Sequence, residues 1–225
     1  MKALLYKEFK LAMHPICYLF VFLFPFMILI PSYPVAIGFI YVLSCYPILF
    51  LGANKGQQSN DLLFSTLLPV RKKDIVLARI ITIGIMQFTF MLVMAALLPL
   101  ALQIDKNIPD SQIPGLGLNA FVSVLGIAII GYSLADLIFF PIYYKHGKSI
   151  VMSTLLTILG FIVYLAIFTI AMPFIPGIGE GYKHFLSDSG LGYQFIVFGA
   201  SLILYVLIHF VVYKVSSKEL ERVDF

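Results

Sequence analysis

Long stretches without any charged side chain dominate the hydrophobic pattern of this chain. Asp, Glu, Lys and Arg are absent from Leu11 to Asn54, Ile80 to Ile104, Ser111 to Ala135, Ser149 to Gly179 and Ser189 to Tyr213. A membrane-spanning helix needs about 20 mostly apolar residues. The first stretch is therefore long enough for two spans, and each of the other four is long enough for one.

This pattern predicts an all-α integral membrane protein that forms a single domain over residues 1–225. Its six transmembrane helices are predicted at residues 15–31, 35–53, 75–102, 117–143, 149–173 and 193–213. The composition agrees with this prediction, because 61% of the residues are hydrophobic and only 12% are charged. A soluble domain has about 25% charged residues.

The Lys and Arg residues are distributed unevenly between the two sides of the predicted membrane. Of the 15 Lys and Arg residues, all except Lys106 and Lys183 fall on one side. Cytoplasmic loops of membrane proteins carry the excess of Lys and Arg, so both termini are predicted to lie in the cytoplasm. The net charge of +4 then reflects orientation and gives no reason to expect nucleic acid as a partner.

Residues 1–14 form a predicted interfacial helix that precedes the first span. One arc of this helix is polar and contains Tyr6, Lys7, Lys10 and His14. Apolar residues fill most of the rest of the surface, and Glu8 interrupts them. Such a division is typical of a helix that lies along the membrane surface, here along the cytoplasmic leaflet.

The segment between the second and third predicted spans contains a short amphipathic helix at residues 60–69. Asn60 or Asp61 can cap its start, and Pro69 ends it. Its apolar ridge consists of Leu62, Leu63, Phe64, Leu67 and Leu68, and a basic cluster that begins at Arg71 follows. Two uses remain open. The helix can rest on anionic lipid through the basic cluster, or its ridge can insert into a groove on a soluble partner.

The chain lacks the sequence motifs of ATP binding and of zinc catalysis. Neither a GxxxxGK[ST] phosphate loop nor an HExxH site occurs, and we predict no catalytic residue, no metal ligand and no cofactor site. Three polar residues in predicted spans, Gln87, Asp136 and His209, are candidates either for the interior of the bundle or for a translocation pathway. Asp136 lies near enough to the predicted cytoplasmic turn to pair with Lys145 or Lys148.

Two segments of the sequence resemble a known family. Residues 60–76, NDLLFSTLLPVRKKDIV, resemble the coupling-helix region of ABC-2 type transporter permeases. Residues 140–148, FPIYYKHGK, are similar to a Pro-aliphatic-Tyr-aromatic-Lys-x-Gly pattern of the same family, and this motif includes Pro141, Tyr144, Lys145 and Gly147. Within the family, the short external loops are most similar to those of the phenol-soluble modulin exporter and related bacterial peptide exporters.

The resemblance implies a division of labour between this chain and other subunits. Two permease copies, identical or paralogous, would pair in the bacterial plasma membrane, each with a cytoplasmic ABC ATPase subunit that binds ATP and Mg. Asn60, Asp61, the apolar ridge, Pro69 and Arg71 would couple the permease to the ATPase. The chain would itself be a non-catalytic, multi-pass subunit, and its cargo would be amphipathic peptides, such as phenol-soluble modulins or antimicrobial peptides, or other amphiphiles.

Two other classes of function compete with this interpretation. A substrate-capture subunit of a vitamin importer also has about six spans, and residues 177–188 would form the lid over its ligand, although no ligand signature stands out there. A membrane-embedded enzyme would use Asp136 with His209 or His146, although no spacing in the sequence supports it.

Overall fold

The structure is a computed structural model that describes six segments of the chain. These segments are residues 2–13, 15–29, 65–106, 121–146, 150–167 and 191–223. Every regular element within them is helical. The predicted second span, at residues 35–53, lies outside the described residues, as do residues 177–188, the lid predicted for a vitamin importer.

Six α-helices follow one another in the described segments. They are α1 (Lys2–Lys7), α2 (Pro15–Leu23), α3 (Lys72–Lys106), α4 (Phe121–His146), α5 (Ile150–Ala166) and α6 (Leu191–Arg222). A π-helical turn, Glu8–Ala12, extends α1, and a 3₁₀ helix, Phe24–Leu29, extends α2. Pro25 lies in this 3₁₀ helix, where its missing N–H interrupts the α-helical hydrogen-bond pattern of the first predicted span.

Two of these helices are long and apolar enough to cross a membrane. The apolar parts are Lys72–Leu97 of α3 and Gln194–Arg222 of α6, and α5 contributes a shorter apolar helix, Val151–Tyr164. Large apolar side chains such as Ile203 and Val206 of α6 are exposed in the isolated chain. Lipid is the solvent that can accept such a surface. The total of six spans and their orientation stay predictions.

Several helices extend beyond the predicted membrane boundaries. Residues 103–106, predicted as an external loop, are the last part of α3. Residues 144–146, predicted as a cytoplasmic turn, continue α4, and the polar tail after residue 213 continues α6 as far as Arg222. Hydropathy marks only where the surroundings change from lipid to water, whereas a helix can continue into water as long as its backbone hydrogen bonds and side-chain packing persist.

The core of the described bundle lies between α3, α4 and α6. The most extensive contact joins α4 to α6, while α3 packs against α6 and the 3₁₀ helix. Gly126 of α4 makes the contact with α6 close, because a Cβ at this position would lie 3.1 Å from Ser201 Oγ and 3.3 Å from Phe198 Cα. Small residues at such contacts allow helix backbones to approach closely in membranes.

Candidate functional site

A cluster of four polar side chains, which we call the bundle cluster, lies between α3, α4 and α6. Gln87 Nε2 donates a hydrogen bond to Asp136 Oδ2 at 3.0 Å, and the Tyr205 hydroxyl donates one to Gln87 Oε1 at 2.7 Å. His209 Nε2 lies 2.8 Å from Asp136 Oδ2. Each of the three helices therefore contributes at least one polar group to the same site.

The imidazole of His209 is oriented by its own helix. Its Nδ1 lies 2.9 Å from the carbonyl oxygen of Tyr205, one turn earlier in α6. Because a carbonyl oxygen only accepts, Nδ1 carries a hydrogen in this arrangement. Nε2 lies 2.8 Å from Asp136 Oδ2, which is close enough for an ion pair when the imidazole is protonated, but it forms no hydrogen bond within the described segments.

Asp136 is completely buried, with 0% of its side chain exposed. Its second oxygen, Oδ1, has no hydrogen-bond partner within the part of the chain that the structure describes. A buried polar atom without a partner is costly, and an ionisable residue inside a membrane bundle is a candidate functional residue for that reason. The bundle cluster is therefore the strongest candidate site within the described bundle.

The structure brings together all three polar residues that the sequence singled out in the spans. Gln87, Asp136 and His209 are direct neighbours, although they come from three different helices. Lys145, one of the two predicted partners of Asp136, is exposed. Asp136 contacts His209 instead, because it faces α6 and not the end of its own helix. The other predicted partner, Lys148, lies outside the described residues.

A second buried cluster, which we call the N-terminal clamp, lies at the predicted cytoplasmic end of the bundle. The carboxylate of Glu8 receives two hydrogen bonds from Arg79, from Nε at 2.8 Å and from Nη2 at 3.0 Å. Arg79 Nη1 also donates to the Tyr143 hydroxyl at 3.4 Å. Lys7 Nζ lies 3.5 Å from Glu8 Oε1 and donates a hydrogen bond to Ser65 Oγ.

The N-terminal clamp corrects the sequence-based view of residues 1–14. Lys7 belongs to the arc that the sequence shows as polar, yet it is only 8% exposed, and Glu8, which interrupts the apolar arc, is only 2% exposed. Both side chains are accommodated because Arg79 and Ser65 supply charge and hydrogen bonds inside the protein. Glu8, the carboxylate that interrupts the apolar arc of residues 1–14, was the only signal in the sequence, and it could not identify a partner 71 residues away.

The described part of the predicted coupling helix is a short turn. Residues 65–67 are helical and residues 68–70 form a bend, in which the Val70 N–H donates to the Leu68 carbonyl at 2.7 Å. The helix therefore ends before Leu68, because a residue that precedes proline is disfavoured in the α conformation. The predicted coupling residues Asn60, Asp61, Leu62, Leu63 and Phe64 lie outside the described residues.

The surface of this turn is apolar and basic. Leu67 is 76% exposed, and Pro69 and Val70 are exposed beside it. Arg71 forms an exposed ion pair with Asp74, with Nε 3.0 Å from Oδ2. This hydrogen bond raises the pKa of the Arg71 guanidinium above its ordinary value. Leu67 and Arg71 are thus accessible to a partner, whereas Ser65 faces the N-terminal clamp.

The predicted motif at residues 141–147 has one buried and one exposed side chain. Tyr144 is fully buried, and its ring is stacked on Phe140 with the centroids 6.2 Å apart. Lys145 is exposed, Pro141 lies inside α4, and Gly147 lies outside the described residues. Tyr144 therefore supports the packing of the bundle, and Lys145 is the accessible part of the motif.

An apolar cavity of about 80 Å³ adjoins the bundle cluster. Gln87, Tyr132 and Tyr205 contribute to its wall, and apolar side chains form the rest, among them Met91, Leu125, Ile129, Phe198 and Leu202. Two further lining residues, Phe88 and Leu92, are more than half exposed. The cavity thus adjoins the outer surface of α3, where lipid would lie in a membrane.

These features define a class of protein: a helical membrane protein with buried polar clusters and an accessible turn at one end of the bundle. The sequence matches the family described as "ABC-2 family transporter protein" over residues 3–219. The chain therefore belongs to the ABC-2 transporter family and is a permease subunit of an ABC transporter, a membrane protein that works with an ABC ATPase. No curated protein and no solved structure matches the chain.

Proposed function

We propose that the chain is the membrane subunit of an ATP-driven exporter of amphipathic peptides or other amphiphiles in the bacterial plasma membrane. Two permease copies would pair, and each would bind one cytoplasmic ATPase subunit. The ATPase subunits would hold ATP and Mg and carry out all hydrolysis, so the permease itself is a non-catalytic, multi-pass protein without a cofactor.

The exposed Leu67 is the observation that carries this proposal. Its side chain is 76% exposed on a tight turn that is otherwise anchored to the bundle through Ser65 and Lys7. Full burial of a leucine side chain contributes about 1.5–3 kcal/mol, so a groove on a soluble subunit would gain by enclosing it. Arg71 is exposed next to it and can pair with an acidic group at the edge of such a groove.

The cavity supports amphiphiles as the cargo class. Its surface is almost entirely apolar and would accept the apolar part of an amphiphile. Phe88 and Leu92 are exposed at its edge and would face the lipid from which such a molecule would enter. The resemblance to bacterial peptide exporters favours amphipathic peptides within this class.

Reconstituted vesicles test the proposal. The permease is purified with the ATPase subunit and reconstituted, and inside-out vesicles are given a fluorescent amphipathic helical peptide. We expect ATP to drive accumulation of the peptide in the vesicle lumen, and we expect an ATPase variant that lacks its phosphate-loop lysine to abolish accumulation. Accumulation that is independent of ATP, or tight retention of a vitamin-like ligand by the purified permease alone, would contradict the proposal.

A further inference from the structure

The negative charge of Asp136 can be neutralised by one neighbour within the described bundle. The Asp136 side chain is 0% exposed, and Gln87, which donates a hydrogen bond to it, is uncharged. No Lys or Arg occurs in the sequence from Ile80 to Ile104 or from Ser189 to Tyr213, the stretches of α3 and α6 that pack around this carboxylate. His209, with Nε2 2.8 Å from Asp136 Oδ2, is therefore the side chain that can supply a positive charge here.

The other titratable groups on the helices around Asp136 do not replace His209. Arg79 precedes Gln87 by eight residues in α3, which is about 12 Å along the helix axis, and it is already paired with Glu8. α5, which packs against α4, contains no Asp, Glu, Lys or Arg. The remaining titratable side chains at about this depth are tyrosines, which are neutral near neutral pH, and they are Tyr132, Tyr164 and Tyr205.

Charge balance requires the bundle cluster to hold one proton. A neutral imidazole beside an ionised Asp136 leaves a buried negative charge without compensation, which is costly in a helix bundle. Because Nδ1 of His209 carries a hydrogen towards the Tyr205 carbonyl oxygen, Nε2 is the nitrogen that accepts this proton. The imidazolium and the carboxylate then have a total charge of zero, and a proton on Asp136 itself gives the same total.

The pair also retains unused hydrogen-bonding capacity. Asp136 Oδ1 and His209 Nε2 are both buried without a hydrogen-bond partner among the described residues. Polar groups that serve only to hold a fold together are usually saturated with hydrogen bonds. Ionisable residues inside a membrane bundle often mark the path of an ion or a proton. The incomplete bonding of this pair is therefore an independent indication that the site exchanges a ligand.

The pair lies across the contact between α4 and α6, the most extensive contact in the described bundle. Gly126 and Ser201 keep the same helices close about 15 Å from Asp136 along α4. A movement that separates α4 from α6 would take His209 away from Asp136 and leave two buried charges apart. If Nε2 passes its proton to water, the imidazole becomes neutral, and the carboxylate becomes hydrated in the opened contact.

We propose that the bundle cluster is a proton-binding site, which holds one proton while α4 and α6 are packed together and releases it to water when they separate. Asp136 and His209 are its two proton-binding groups. A lower proton concentration then favours separation of the helices, so the export cycle depends on pH. This consequence for export rests on the proposed function, whereas the proton site itself does not.

Thermal unfolding of the purified full-length permease in lipid nanodiscs tests the proton site. The melting temperature is measured from about pH 5 to about pH 9, the range in which histidine ordinarily titrates. Asp136→Asn removes the charge that requires the proton, and His209→Gln removes the imidazole that accepts it. Glu221→Gln is the matched control, because it removes a carboxylate that forms an exposed pair with Lys73.

We expect the melting temperature of the unaltered chain to fall by about 5 °C or more as the pH rises over this range. Stability that a bound proton provides is present at low pH and is lost as the pH rises. Asp136→Asn should abolish most of this fall, His209→Gln should shift it to lower pH, and the control should retain it. Parallel pH profiles for the unaltered chain and Asp136→Asn would overturn the proposal. If Asp136→Asn does not fold, an unshifted profile in His209→Gln overturns it equally.

ATP-driven peptide accumulation in reconstituted vesicles tests the release of the proton. Both sides of the membrane have the same pH, and accumulation is expressed per ATP hydrolysed, so that the pH dependence of the ATPase divides out. We expect this ratio to rise about fivefold, the lower end of typical couplings between sites, from low to high pH in the unaltered complex and to stay nearly constant with Asp136→Asn.

The two measurements separate the proposal from the proposed function. If the unaltered complex transports peptide with a ratio that does not change with pH, the release of the proton is refuted and the proposed function stands. If the complex shows no ATP-driven transport at any pH, the proposed function fails, and the melting temperatures alone decide whether the bundle cluster binds a proton.

Discussion

Gln87 of α3 donates a hydrogen bond to Asp136 of α4, and the same carboxylate oxygen lies 2.8 Å from His209 of α6. One atom of Asp136 thus joins the three helices that form the core of the described bundle. Its other oxygen lies buried without a hydrogen-bond partner in the described segments. Asp136 of α4 therefore contacts polar side chains of both α3 and α6.

Replacement of Asp136 should lower the stability of the permease by an amount that depends on the new side chain. Asp136→Asn keeps the size and an acceptor for Gln87, whereas Asp136→Leu leaves both Gln87 Nε2 and His209 Nε2 without their contact. Hydrogen bonds between membrane helices contribute about 0.6 kcal/mol on average and up to about 1.7 kcal/mol. We therefore expect the Leu variant to lose about 1–3 kcal/mol in mixed-micelle unfolding and the Asn variant to lose less. Equal losses would contradict this account of the cluster.

Two glycines should respond very differently to enlargement. A side chain at Gly126 would collide with Phe198 Cα and Ser201 Oγ across the contact of α4 with α6, whereas nothing lies within 4 Å of a Cβ at Gly199. Overpacking of a close contact costs about 1–3 kcal/mol. Gly126→Leu should consequently lower the melting temperature of the purified permease clearly, and Gly199→Leu should leave it almost unchanged. Similar melting temperatures for the two variants would show that α4 and α6 are not in close contact.

Two glutamates in ion pairs offer a comparison of buried and exposed pairs. Glu8 pairs with Arg79 inside the protein, and Glu221 pairs with Lys73 on the surface, where both side chains are about half exposed. Loss of one partner from a buried pair costs about 3–5 kcal/mol, whereas exposed pairs contribute about 0–1 kcal/mol. We expect Glu8→Ala to destabilise the permease by several times as much as Glu221→Ala in chemical unfolding. High salt should reduce the effect of the Glu221 change further, because only the exposed pair is well screened.

The exposed leucine of the turn should matter for partner binding and not for folding. Leu67→Asp places a charge where we expect an apolar groove, so affinity for the ATPase subunit should fall, while the melting temperature of the isolated permease stays the same because the side chain is already exposed. Leu67→Met keeps the apolar surface and should retain binding. Co-purification and ATP-driven transport of the two variants provide the measurement. Full binding by the Asp variant would exclude Leu67 from the interface.

The helices themselves could be predicted largely from hydropathy. The apolar runs located α3 and α6 because burial in lipid requires about 20 apolar residues, whatever their neighbours are. Their ends could not be predicted in the same way. Residues 214–222 are mostly polar, yet α6 continues through them, and Ser216, Ser217 and Leu220 are buried against the protein. The positions of these helix ends therefore depend on packing in the folded chain.

The candidate site was predictable in part. Gln87, Asp136 and His209 stood out because polar groups are rare and costly in apolar spans. Such residues can be recognised from the sequence alone. The contact of Asp136 with His209 was not predictable, because it depends on which faces of α4 and α6 meet. The same holds for Glu8 and Arg79, of which the first looked like an interruption of an apolar arc and the second like an ordinary cytoplasmic cation.

The sequence by itself thus determined a helical membrane protein of the ABC-2 family, the approximate positions of its apolar helices, and the identity of its unusual polar residues. Only the tertiary structure decided which of those residues are partners and that Lys7 and Glu8 are buried together with Arg79. The physical reason is that the free energy of transferring a helix from water to lipid depends on the amino-acid composition of that helix alone. An ion pair depends on the distance between two side chains, and the packing of helices distant in sequence determines that distance.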